Sequence, residues 1–88
     1  MWWKIYESLN LFGGTLNFIG DDLEDMIEIR YPDGMLIDVG KYDDIYCIIV
    51  VLSDDRDGWQ NLLLELPVTD KKDLYRRIQE TIIRFRNC

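Results

Sequence analysis

Alternating apolar and polar positions in the middle of the chain predict a β-hairpin. Residues 26–31 and 35–39 flank Pro32-Asp33-Gly34, in which proline presets the turn backbone and glycine takes a left-handed position. Pairing the two segments across this turn gives one face the pairs Tyr31–Met35, Ile29–Ile37 and Ile27–Val39. The other face then carries Glu28, Arg30 and Asp38. We therefore expect a sheet that is apolar on one side here.

A second turn signal, Gly13-Gly14, lies between two further apolar segments. Two adjacent glycines supply the positive φ angles of a two-residue hairpin turn. This pattern predicts strands over residues 8–19, with Leu11 opposite Leu16 and Leu9 opposite Phe18. Residues 2–7 fit a helical period and strand alternation about equally well, so helix and strand both stay open there.

The longest apolar run, Ile45–Leu52, is apolar on both faces and has the length of a strand. It predicts a central strand that is covered on both sides or nearly so. After a polar turn at residues 53–58, another strand is expected over 59–66, with Leu62, Leu64 and Leu66 on one face. Pro67 is expected to close that strand.

The last segment, from Lys71 to about Arg86, has the period of an amphipathic helix. Its apolar stripe consists of Leu74, Ile78, Ile82 and Phe85, and Thr69 or Asp70 is expected to cap its start. The predicted fold class is α+β: an antiparallel β-meander of about five or six strands with a C-terminal α-helix packed on one face. With 88 residues, the chain is long enough for one domain, 1–88.

The residues that carry most enzyme chemistry are missing. The chain has no histidine, which removes the commonest general base and metal ligand, and no glycine-rich phosphate loop. The segment 53–58 resembles the start of a calcium-binding loop, but Leu64 stands where that loop needs a bidentate glutamate. We therefore expect no catalytic residues, no metal site and no cofactor.

Two cysteines do not make a disulfide framework. Cys47 lies in the apolar run and is expected to be a buried small hydrophobe, whereas Cys88 is the last residue; a bridge between them stays open. No apolar run is long enough to span a membrane, and the N-terminus lacks the pattern of a signal peptide. These features predict a cytoplasmic protein that does not enter a membrane.

The charge is unevenly distributed along the chain. The net charge is -7, but residues 71–88 carry +4 and the other 70 residues carry -11. An acidic balance disfavours direct nucleic-acid binding and suits a basic protein partner. A meander would bring the loops at 20–25 and 40–44 to the same end of the sheet. The expected partner-binding residues are Asp21, Asp22, Glu24, Asp25, Tyr42, Asp43 and Asp44.

Internal neutralisation by Lys71 and Lys72 would weaken this patch. The second-choice partner-binding residues, at the opposite end, are Asp54, Asp55, Asp57 and Trp59. In size, acidity and lack of catalytic motifs, the chain resembles the small immunity proteins of bacterial toxin systems and phage-encoded inhibitors such as anti-CRISPR proteins. This resemblance of organisation implies an inhibitor that neutralises a basic effector such as a toxin nuclease. The alternatives are a phage anti-defence inhibitor and a non-catalytic interaction or adaptor domain.

Overall fold

A computed structural model describes residues 3–52 and 62–87, and its five strands form one antiparallel sheet in the order β1-β2-β3-β4-β5. The strands are β1 (Thr15–Phe18), β2 (Ile27–Arg30), β3 (Met35–Tyr42), β4 (Ile45–Leu52) and β5 (Leu64–Val68). A 3₁₀ helix (Lys4–Ser8) precedes them, and a 3₁₀ turn (Lys71–Asp73) leads into the helix α1 (Leu74–Arg86). The predicted α+β class and the antiparallel meander are confirmed. None of the helices in the described ranges is long and apolar enough to cross a membrane.

The β2–β3 hairpin has the predicted register. Ile29 pairs with Ile37, and Ile27 pairs with Val39. The Tyr31 N–H donates to the carbonyl of Met35 at 3.0 Å, and Gly34 takes a φ of 92°. The turn chemistry of Pro32-Asp33-Gly34 therefore sets the register, because only glycine adopts this left-handed backbone without strain.

Strand β4 begins and ends where the apolar run predicts, and it pairs with β3 along its whole length. Alternation gives the sheet two faces. The inner face carries the fully buried residues Ile27, Ile29, Ile37, Val39, Ile48 and Val50. The outer face carries Asp38, Tyr42, Ile45, Cys47, Ile49, Val51, Glu65 and Pro67.

The expectation that β4 is covered on both sides is wrong for part of its outer face. Val51 is buried there, but Ile45 is exposed and Cys47 and Ile49 are only partly buried. An apolar run therefore does not by itself indicate two covered faces. The adjoining outer surface continues onto β5, which forms the edge of the sheet.

Pro67 does not close β5, contrary to expectation. It lies inside the strand and pairs with Cys47, and the strand continues to Val68. A proline fits an edge strand because no second neighbour needs the N–H that it lacks. Leu64 and Leu66 share the inner face as predicted. The strand begins at Leu64, so the prediction that it includes residues 62 and 63 is wrong. The predicted residues 59–61 lie outside the described residues.

The hairpin predicted over residues 8–19 is wrong in its first half. Residues 3–14 form no strand, and β1 pairs with β2 instead. The side-chain amide of Gln79 accepts from the Asn10 N–H at 2.8 Å and donates to the Asn10 carbonyl at 3.1 Å. Because α1 uses these backbone groups, they are not available for a strand ladder. For residues 2–7, the open choice is decided over Lys4–Ser8 in favour of helix.

The start of the C-terminal helical segment is capped by Asp70, whose carboxylate accepts from the Lys72 N–H at 3.0 Å. The predicted apolar stripe is confirmed: Leu74, Ile78 and Ile82 are fully buried, and Phe85 is partly buried. The three buried side chains belong to the same hydrophobic cluster as the inner face of the sheet. Burial of this apolar stripe is the main interaction that stabilises α1.

Candidate protein-binding surface

The two loops expected to meet at one end of the sheet do so. The Lys41 N–H donates to the Leu23 carbonyl at 2.7 Å, and the Met26 N–H donates to the Val39 carbonyl at 2.8 Å. These bonds hold the β1–β2 connection against the end of β3. The second loop is narrower than the expected 40–44, because β3 extends to Tyr42 and β4 begins at Ile45. Only Asp43 and Asp44 form the turn, with Asp43 at a left-handed φ of 55°.

The backbone of Glu24 packs closely against the outer face of β3. The carbonyl oxygen of Glu24 lies directly over Gly40, where a Cβ atom would collide with it. The pKa of the Tyr42 hydroxyl is raised, first by burial and then by the negative charges of Asp38, Asp25 and Glu24. These carboxylates therefore act together on the surface around Tyr42, whose side chain is 41% exposed.

Asp21 and Asp22 share one counter-ion within the protein. The Lys71 ammonium contacts the carboxylates of Asp21 at 2.7 Å and of Asp22 at 3.2 Å. The Tyr46 hydroxyl also donates to Asp22 at 2.8 Å, and this bond, followed by Lys71, lowers the pKa of Asp22. The two carboxylates raise the pKa of Lys71 in return. Much of the charge of this pair is therefore used inside the molecule.

The other four carboxylates of the predicted patch have no counter-ion among the described residues. Across residues 3–52 and 62–87, no ion pair or hydrogen bond engages the side chains of Glu24, Asp25, Asp43 and Asp44. All four are exposed. The structure thus divides the six predicted acids into a pair that shares the ammonium of Lys71 and an unneutralised group beside Tyr42.

An open apolar groove of about 520 Å³ adjoins this unneutralised group on the outer face. It is lined by Tyr42, Asp43, Ile45, Cys47, Ile49, Glu65 and Pro67. Sequence analysis identified Tyr42 and Asp43 but missed the rest, which belong to β4 and β5. The sequence does contain a signal for them: β4 is apolar on both faces, and the next strand, β5, contains a proline. A proline within a strand indicates an edge strand.

Asp38 lies on the outer face of β3, directly opposite Ile49. Asp38 is only 5% exposed, and in the described part of the chain its Oδ1 atom has no hydrogen-bond partner. Burial, followed by the nearby charges of Asp25 and Glu28, raises the pKa of Asp38 to about 6. Arg30 acts in the opposite direction, but its guanidinium is engaged by Glu28 at 3.1 Å.

Cys47 is a free thiol at the floor of the groove. The expected burial is incomplete, because the side chain is partly accessible from the outer face. Burial raises the pKa of this thiol most, and the charges of Glu65 and Asp38 raise it further. Two carboxylates therefore act on the part of the groove around Cys47.

The second-choice residues Asp54, Asp55, Asp57 and Trp59 lie outside the described residues, as does the calcium-loop-like segment. At the described part of that end, the Arg86 guanidinium contacts Asp33 at 2.7 Å and lowers the pKa of this carboxyl. No cluster of three or more metal-ligating side chains occurs within residues 3–52 and 62–87.

The described surface therefore combines an exposed aromatic side chain, an apolar floor and a rim of carboxylates. An apolar centre with a polar rim is the composition of protein-binding surfaces, and tyrosine is enriched among the residues that anchor them. No known family, curated protein or solved structure matches this chain.

Proposed function

We propose that this protein is a small acidic inhibitor that binds and neutralises a basic effector protein, such as a toxin nuclease. The observation that carries the proposal is the group of four carboxylates, Glu24, Asp25, Asp43 and Asp44, that have no counter-ion within the described residues and surround the exposed Tyr42. A non-catalytic protein can block an effector by covering its active site, so this function needs no chemical group of its own.

The two parts of the acidic end contribute differently to this proposal. Charges without a counter-ion attract a basic partner over long range and raise the association rate. Asp21 and Asp22 share the ammonium of Lys71, so their long-range field is reduced. We therefore assign the steering to the group around Tyr42, and the short-range anchoring to Tyr42 itself.

A phage anti-defence inhibitor would use the same surface and differ only in the origin of its basic target. The groove next to Tyr42 also favours a second class, an adaptor domain that binds a segment of another protein without inhibiting it. The two classes differ in one measurable property, which is the effect of binding on the activity of the partner.

The proposal includes the placement of α1 over the inner face of the sheet. Its support is the single cluster that buries Ile78 together with Ile37 and Ile48. This placement leaves the outer face for a partner. We further propose that the protein works in the cytoplasm, where a free thiol such as Cys47 stays reduced.

Affinity capture from the source cell, followed by reconstitution with the purified partner, tests the function. We expect a basic partner whose activity falls in proportion to the amount of this protein added. The charge model is tested by association kinetics at low and high salt with the variant Asp43→Asn/Asp44→Asn. Asparagine suits the left-handed backbone at position 43, so this variant preserves the turn.

The matched control is Glu7→Gln/Glu80→Gln, which changes the net charge equally but lies outside the group of four carboxylates around Tyr42. We expect the Asp43/Asp44 variant to associate roughly tenfold more slowly at low salt, with a weaker salt dependence, and the control to change little. Equal slowing in both variants would contradict the assigned surface. A bound partner that keeps full activity would replace the inhibitor with the adaptor.

A further inference from the structure

The groove on the outer face is shaped by two neighbouring strands and a turn. Ile45, Cys47 and Ile49 of β4 form its floor, and Glu65 and Pro67 of the edge strand β5 form one wall. Tyr42 and Asp43 close the end near the turn. Its volume, about 520 Å³, is within the range of ligand pockets, so it has room for the side chains of a short segment.

The groove is electrostatically negative along its length. Asp38 and Glu65 act on Cys47 at its floor, and Asp38, Asp25 and Glu24 act on Tyr42 at its end. None of the lining residues within 3–52 and 62–87 is basic. The cation that acts most directly on Asp38 is Arg30, which is engaged by Glu28. A cation from another molecule would therefore find several carboxylates and little competition.

The apolar floor and the negative rim together define the occupant. We propose that the groove receives a basic segment of the partner protein, with an aliphatic side chain over Ile45 and Cys47 and a lysine or arginine beside Glu65. This inference rests on the proposed function and deepens it by naming the segment that the partner presents. It also adds a second contact area to the carboxylates around Tyr42.

Asp38 links this binding to pH. The charged groups around it are Asp25 in the β1–β2 connection, and Glu28 and Arg30 on β2. Tyr42 on β3 and Cys47 on β4 also sense its charge. Because Arg30 is engaged by Glu28, a partner cation adds positive charge to this cluster and favours the ionised form of Asp38. Binding therefore strengthens as the pH rises through about 6.

The test uses Cys47 as a reporter in a Cys88→Ser background. A methanethiosulfonate reagent forms a mixed disulfide with the thiolate and releases methanesulfinate, and mass spectrometry follows the reaction. The probe is a short peptide of alternating leucine and arginine, and the control peptide alternates leucine and glutamate. We expect the arginine peptide, at about 1 mM, to slow the modification of Cys47 roughly tenfold, and the glutamate peptide to have no effect.

Charge-matched variants distinguish the groove from general attraction. We expect Glu65→Lys to abolish the protection and Glu7→Lys, which places the same charge outside the groove, to preserve it. The protection should increase from about pH 5 to about pH 7 in the parent protein and stay constant in Asp38→Asn. Absence of protection by the arginine peptide, or equal loss in the two lysine variants, would overturn the inference.

A variant of the carboxylates outside the groove separates this inference from the proposed function. If the captured partner binds Glu65→Lys as tightly as the parent but loses affinity for Glu24→Gln/Asp25→Asn, two residues that do not line the groove, the inhibitor proposal stands and the groove is not its site. If partner affinity is unchanged in both variants, both proposals fail. Loss of affinity in Glu65→Lys, with normal binding to Glu7→Lys, supports the groove.

Discussion

Asp38 illustrates how one residue links burial to pH. The folded protein keeps its proton up to about pH 6, because burial disfavours the charged form, whereas an unfolded chain releases it near pH 3.8. Between these values the folded state binds more protons than the unfolded state. The contribution of Asp38 to stability is therefore present below about pH 4 and is lost as the pH rises toward 6.

Replacing Asp38 by asparagine should remove this loss. We expect Asp38→Asn to raise the free energy of unfolding at neutral pH by up to about 3 kcal/mol, the equivalent of its shift in pKa. Urea unfolding between about pH 4 and about pH 7 measures the effect. Asp33→Asn is the control of opposite sign, because Arg86 lowers the pKa of Asp33. An unchanged pH slope in Asp38→Asn would refute the assignment.

Position 40 requires glycine because the structure leaves no room for a side chain there. A Cβ atom at this position would meet the backbone carbonyl of Glu24, which is held by the bond between Lys41 and Leu23. We expect Gly40→Ala to cost several kcal/mol because a main-chain segment must move. At Gly20 the added atom would meet only the flexible end of Leu23. Thermal unfolding should therefore show a much smaller loss for Gly20→Ala, and equal losses would argue against the close packing.

At the scale of elements, α1 depends on its buried stripe. Ile78 is fully buried in the cluster shared with the sheet, so Ile78→Ala should lower the free energy of unfolding by roughly 2–5 kcal/mol. Arg77 is the adjacent control. Its side chain is 43% exposed, and its ion pair with Glu80, at 3.5 Å, is long and open to solvent. Arg77→Ala should cost less than about 1 kcal/mol. Comparable losses in chemical denaturation would mean that the faces of the helix are wrongly assigned.

The N-terminal segment shows how one element decides the structure of another. Leu9–Leu11 has the alternation of a strand, yet Gln79 of α1 binds both backbone groups of Asn10. The Tyr31 hydroxyl also donates to the carbonyl of Leu11 at 2.8 Å. The turn forms with Phe12 and Gly13 at positive φ, and the Gly14 N–H donates to Leu11. Contacts from distant elements therefore replace the hairpin that local pattern favours.

For the whole molecule, Lys71 limits the negative field of the sheet end. We expect Lys71→Gln to free the charges of Asp21 and Asp22 and to accelerate association with a basic partner several-fold at low salt. Lys72→Gln is the matched control, because Lys72 forms no ion pair within the described ranges. Stopped-flow association at two salt concentrations measures both rates. Equal acceleration in the two variants would show that net charge alone, rather than the local pairing, sets the rate.

Sequence alone predicted the secondary-structure elements that are specified by residues close together in the chain. Turn chemistry at Pro32-Asp33-Gly34, the apolar run Ile45–Leu52 and the helical stripe from Leu74 to Phe85 led to the observed hairpin, strand and helix. These features follow from backbone preference and periodicity, which depend on residues a few positions apart. The convergence of the two acidic loops followed as well, because a meander alternates its connections between the two ends of the sheet.

Only the tertiary structure decided which side chains are free to act. Lys71 neutralises carboxylates 50 and 49 residues away, and Gln79 holds a backbone segment at a distance of 69 residues. The outer groove joins β4 to the edge strand, and Asp38 loses its solvent without gaining a partner for Oδ1. Such contacts depend on how complete elements pack together. A side chain becomes buried or forms an ion pair only when both of the contacting elements are in place. The pattern of a sequence describes each element separately. It therefore predicted which loops form the acidic end, but not which of their carboxylates pair with Lys71.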